Sequence, residues 1–171
     1  MVKVEILLTH ADAQVPSYAK EGDSGSDVRV LPSDGEGLEF YKAQIGLPNY
    51  KGVLTRVQPR DWIFQPGETK LLPLGFKVAI PEGFELQVRP RSGMAKGGFI
   101  VPNSPGTIDS GYRGPVMVIV KNDSPNLRMI KAQDRVAQLC LKRAPQAEFV
   151  IVDELNKTDR GEGGLGHTGV N

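Results

Sequence analysis

Two carboxylates, a set of arginines and a glycine-rich tail carry the chemistry this chain can perform. The run NSPGTIDSGYRG, Asn103 to Gly114, sets Asp109 and Tyr112 on a backbone bent by Pro105, Gly106 and Gly111. Held among such turns, Asp109 suits the role of general base toward a water molecule. The amide of Asn103 donates and accepts together, which matches the edge of a pyrimidine, and the ring of Tyr112 suits the face of a sugar. The same residues also satisfy a plain tight turn, with the Asp capping and the Tyr packed as core.

Two further stretches favour anions, and a third carries a carboxylate. VRPRSGMAKGG, Val88 to Gly98, leaves an expected strand and presents a cation, a hydroxyl and an unobstructed amide at Arg91, Ser92 and Gly93. RGEGGLGHTG near the C-terminus combines Arg160 with Gly163, Gly164 and Thr168, and backbone amides without a Cβ can wrap phosphate oxygens. It is not a GxxxxGK[ST] loop, because it has neither the lysine nor a following helix. SGSDV places Asp27 at the start of a strand, where it caps its own turn or, beside a polyphosphate, holds Mg²⁺ directly or through water. Two anion-suited segments in a chain of net charge +1 point to a small ligand with several phosphates, and against a nucleic-acid binder that relies on bulk electrostatics. The two histidines, His10 and His167, have no partner at metal-ligand spacing, which argues against a zinc site.

The scaffold that must position these groups reads as all-β. Twenty glycines and thirteen prolines cut 171 residues into segments too short for ordinary helices. Expected strands are Val2 to Leu8, Ser26 to Val30, Thr69 to Ile80, Phe84 to Arg89, Val116 to Asn122, Arg135 to Lys142 and Glu148 to Val152, with a helical turn at Ala132 to Leu141 as the competing reading of one of them. Such spacing predicts a sandwich, jelly roll or closed barrel over residues 1–155. An excursion at 31–65, with Phe40, Ile45, Leu47, Trp62 and Phe64, is too apolar for a plain linker and is a candidate protein-binding surface. Residues 156–171 are expected to form a mobile arm. A lone Cys140, an early-charged N-terminus and the lack of any long apolar run place the protein in the cytoplasm and away from membranes.

Five stretches in order resemble the motifs of the trimeric all-β dUTPase family: SGSDV, RPRSGMAKGG, NSPGTIDSGYRG, AQDRVAQLCL and RGEGGLGHTG. The resemblance implies a jelly-roll-like β-barrel that forms a homotrimer, with each active site built from three subunits. It implies Mg²⁺-dependent hydrolysis of dUTP to dUMP and pyrophosphate, which limits uracil incorporation into DNA and supplies dUMP for thymidylate synthesis. On it Asp109 activates water; Asn103, with backbone groups near Thr107 and Ile108, reads uracil; and Tyr112 excludes a 2′-hydroxyl. Met117 adds a backbone contact at the base. Arg91, Ser92, Gly93 and Gln138 meet the phosphates, Asp27 supports the metal through water, and Arg160 with the arm glycines closes over the far phosphates. The fifth motif departs from the family in carrying Leu165, Gly166 and His167 where an aromatic and Gly-Ser are usual, so Leu165 or His167 covers the base. Two competing functions share these residues: a dCTP deaminase of the same fold, and a nucleotide sensor whose 31–65 excursion binds another protein.

Overall fold

The computed structural model describes residues 1–34 and 60–164. Eleven strands and one short helix are present among them. In chain order the strands are β1 (Glu5–Leu8), β2 (Ser26–Arg29), β3 (Trp62–Phe64), β4 (Thr69–Pro73), β5 (Phe76–Ala79) and β6 (Phe84–Pro90). The helix α1 (Ser92–Lys96) follows, and then β7 (Phe99–Ile100), β8 (Gly106–Ile108), β9 (Met117–Asn122), β10 (Arg128–Ile130) and β11 (Arg135–Arg143).

The all-β expectation holds. Every strand pairing is antiparallel, in sheets ordered β2-β11-β6-β8, β4-β9-β7, β1-β5 and β3-β10. Alternation builds the core: in β9 Val118, Val120 and Asn122 are buried while Met117, Ile119 and Lys121 are half-buried. Leu72, Leu74, Phe76 and Val136 join them, and Phe64 meets Phe99 edge to face with ring centroids 5.2 Å apart. The reading of Ala132 to Leu141 as a helical turn is overturned, since β11 runs through that stretch and pairs with both β2 and β6.

Several strand expectations need correction. Thr69 to Ile80 is not one strand: Gly75, at φ +76°, turns the chain between β4 and β5, and a Cβ there would come within 2.8 Å of the Ala13 Cβ. β1 begins at Glu5, not Val2. Glu148 to Val152 forms no strand at all, because no described neighbour offers it a ladder; Phe149 and Ile151 are 95% and 99% exposed. In contrast, Trp62 to Phe64, the end of the apolar excursion, is the framework strand β3, with Phe64 fully buried and the Trp62 indole donating to the Leu31 carbonyl at 2.7 Å. Phe40, Ile45 and Leu47 lie outside the described residues. Among the described residues no helix is long and apolar enough to cross a membrane.

Candidate active site

Asp27, Gln138 and Arg89 occupy one cross-strand row, since Gln138 of β11 pairs with Asp27 on one side and Arg89 on the other. They point away from the core and line a groove with Asp23, Ser24, Arg91, Ser92 and Gly93. Asp27 is pinned through its backbone as well, exchanging bonds with Ser17 of 2.8 and 3.1 Å. Arg91 caps α1 in an extended conformation, so the first amides of that turn, at Ser92 and Gly93, have no intrahelical acceptor and face an exposed rim. Gly25 is required under this groove, because the Gln138 side chain occupies the place where its Cβ would stand.

The Asp27 carboxylate, 14% exposed, is already engaged. Arg91 grips it as a fork, Nε to Oδ1 at 2.7 Å and Nη2 to Oδ2 at 3.2 Å, while Arg135 Nη1 reaches Oδ2 at 3.0 Å. Arg135 was not singled out in the sequence, and strict alternation explains why. Residues 135 and 138, three apart, belong on opposite faces of a regular strand. A register shift between Arg135 and Ala137, with Val136 and Ala137 both buried, brings Arg135 round to the Asp27 side.

A second pocket holds the remaining candidates. Asn103, Thr107, Ile108, Asp109, Tyr112 and Met117 line it together with Leu71, Val88, Val116 and Ile119. β8 supplies Thr107 and Ile108, and Asp109 follows it directly into a turn closed by Tyr112 N–H donating to the Asp109 carbonyl at 3.1 Å. The Asn103 amide lies so close over Gly106 that a Cβ there would come within 2.8 Å of Nδ2. Tyr112 folds back across Gly114, its hydroxyl donating to the Pro115 carbonyl at 3.0 Å. Asp109 itself is exposed, and no hydrogen bond or ion pair engages its carboxylate among the described residues. A rigid backbone and an unengaged carboxylate are what proton abstraction from a water requires.

No residue lines both pockets. Arg89 faces one and its neighbour Val88 the other, so β6 stands between them. In the tail, Arg160 Nε donates to the Gly163 carbonyl at 2.9 Å, and Gly161 and Gly163 bond only within that turn. Gly163 and Gly164 are described but line neither pocket; Leu165, His167 and Thr168 lie outside the described residues.

An all-β scaffold with an arginine-rich anion groove and a separate half-apolar pocket bearing an amide and a carboxylate defines a phosphate-handling enzyme. The dUTPase family model matches residues 57–169. A deoxyuridine 5′-triphosphate nucleotidohydrolase of Fusobacterium nucleatum is 41% identical over 171 residues, covering 99% of each chain. One of Caulobacter vibrioides is 42% identical over 163 residues, covering 94% of this chain and 89% of its own. Among solved structures, a variant of the Staphylococcus bacteriophage 80alpha dUTPase with dUpNHpp has a TM-score of 0.76 at 20% identity, over 98% of this chain and 99% of that one. The chain belongs to the dUTPase family. Its activity is accordingly that of a dUTP diphosphatase.

Proposed function

We propose that the protein hydrolyses dUTP to dUMP and pyrophosphate at sites shared between copies of a homotrimer. The observation that carries this reading is the division of the site residues into two pockets on opposite sides of β6, one suited to phosphates and one to a pyrimidine nucleoside. The two pockets share no lining residue, which supports the reading that the groove of one copy faces the nucleoside pocket of another. The exposed apolar run from Phe149 to Leu155 supports association, since nothing among the described residues covers it.

In the nucleoside pocket the Asn103 amide and backbone groups at Thr107 and Ile108 hold the uracil edge, with Met117 adding a backbone contact, and Tyr112 lies against the deoxyribose where a 2′-hydroxyl would clash. Asp109 takes a proton from water as its oxygen attacks the α-phosphorus; the bond from that phosphorus to the bridging oxygen breaks, and pyrophosphate leaves. Arg91, Ser92, Gly93 and Gln138 bind the phosphates. Arg160, Gly163, Gly164, Leu165 and Thr168 then close over them and exclude bulk water.

The residues fit Mg²⁺ only as an ion carried by the phosphates. Among the described residues no three His, Cys, Asp or Glu side chains group as a metal site, and the groove offers only the carboxylates of Asp23 and Asp27. Asp27 would support it through water, and when bound the ion neutralises charge on the triphosphate. A solved dUTPase variant of phage phi11 of S. aureus is described with a structural Mg(II) ion. Cytoplasmic location and a protein partner at 31–65 remain parts of the same proposal.

Mixing two inactive variants tests the shared site. Arg91→Ala disables the groove and Asp109→Asn the water-activating pocket, so each alone is nearly inert. Unfolded together and refolded at equal amounts, they should regain about a quarter of the wild-type rate, since half the grooves and half the pockets are intact and they pair at random. No recovery would place both half-sites in one chain. Ammonia release from dCTP, with no pyrophosphate from dUTP, would instead favour the deaminase reading.

Removing Arg160 to Asn171 should leave the fold intact, because the described part of that tail bonds only to itself. The kcat/KM for dUTP should fall at least about tenfold through the lost charge-assisted phosphate contacts. Unchanged kcat/KM would remove the arm from the site.

A further inference from the structure

We propose that Arg135 is a positioning residue that makes Arg91 available to phosphate, by remaining on the Asp27 carboxylate when Arg91 leaves it. This rests on the reading of the groove as the triphosphate site. The Arg91 fork is closed on Asp27, at 2.7 and 3.2 Å, and its Nη1 also donates to the Arg135 carbonyl at 3.3 Å. The groups that must bind phosphate are therefore held by a carboxylate of the protein itself. A triphosphate has to compete for them.

The outcome of that competition depends on what becomes of Asp27. It is mostly buried, and a carboxylate there that loses its only cation is strongly disfavoured. Arg135 removes that obstacle, because its Nη1 holds Oδ2 at 3.0 Å independently of Arg91. The neighbouring Arg89 is engaged elsewhere, its Nε and Nη2 both donating to the Gln87 side-chain oxygen at 3.0 and 2.5 Å. Without Arg135, Arg91 would be Asp27's sole counter-ion among the described residues and would stay closed on it. The register shift in β11 is what makes the arrangement possible, since a regular strand would aim Arg135 away.

Calorimetric titration with inorganic tripolyphosphate, without Mg²⁺, measures the groove independently of hydrolysis. Arg135→Gln should weaken binding about tenfold, and Arg135→Lys, which keeps a cation for Oδ2, should recover most of it. The deciding measurement is the same substitution in an Asp27→Asn background. There Arg91 is released from its carboxylate in any case, so Arg135→Gln should change affinity less than about twofold. An equal tenfold loss in both backgrounds would overturn the proposal and make Arg135 an ordinary phosphate contact. With dUTP, Arg135→Gln should raise KM and leave kcat near wild type; a fall in kcat alone would also overturn it. If the wild-type protein binds tripolyphosphate with this coupling yet releases no pyrophosphate from dUTP, the functional reading fails while the arginine exchange stands.

Discussion

Replacing Asp109 with asparagine is expected to lower dUTP turnover by at least about 10²-fold while leaving the protein folded. The amide preserves the shape of the side chain but does not take a proton from water at neutral pH. The fold should be indifferent, because the Asp109 side chain is exposed and carries no ion pair or hydrogen bond among the described residues; its thermal midpoint should move by no more than about 2 °C. Pyrophosphate release at saturating dUTP measures kcat, and titration with a non-hydrolysed analogue shows that binding survives. Near-normal turnover in a preparation free of wild-type enzyme would remove Asp109 from the role of base.

The largest effect on stability is expected at Asn122, far from any reacting atom. Its side chain is fully buried at the end of β9, where Nδ2 donates to the carbonyls of Phe64, Gln65 and Asn126 at 3.2, 3.0 and 2.8 Å. Oδ1 accepts from the Ser124 amide and hydroxyl at 3.1 and 2.8 Å, and the backbone exchanges bonds with Gly67 and Glu68. One amide thus ties the ends of β3, β9 and the loop leading to β10. Asn122→Ala leaves buried carbonyls without a donor and should destabilise by about 3 kcal/mol, a fall in Tm of roughly 6–12 °C for a chain of this size. Asn122→Asp should be worse, since it keeps the shape, loses both donors and buries a charge. Thermal unfolding beside the wild type at equal protein concentration checks both. A fall of less than about 2 °C for the alanine variant would mean that the network is dispensable.

The long strands were legible because they are apolar or alternating runs set between turn residues. β2, β6 and β9 carry buried residues at every second position, whereas in β11, an apolar stretch bounded by turn residues, the buried residues fall in adjacent pairs. β3, β7, β8 and β10 are two or three residues long, too short to show a period, and exist only because a partner strand receives them. Glu148 to Val152 has the opposite history: its composition is that of a strand, but a strand is a pairing, and none of the described residues pairs with it. The site divides along the same line. Arg91, Ser92, Gly93, Gln138 and Asp27 are recognisable as local motifs, and they do meet in one groove. That Asp27 is held by two arginines depends on register and on a bulge, neither of which is written in local composition.

The placement of Val88 and Arg89 side by side in β6, each serving a different pocket, bears on how this gene can change over generations. Adding or deleting one residue between Leu86 and Arg89 would turn the anion groove's side chains inward and the core's outward, and would offset the ladders to β11 and β8 together. No compensating slip in one neighbour repairs the other. Descendants of this sequence can therefore exchange side chains along β6, but its length is closed to variation, and insertions must accumulate in connections that no half-site shares.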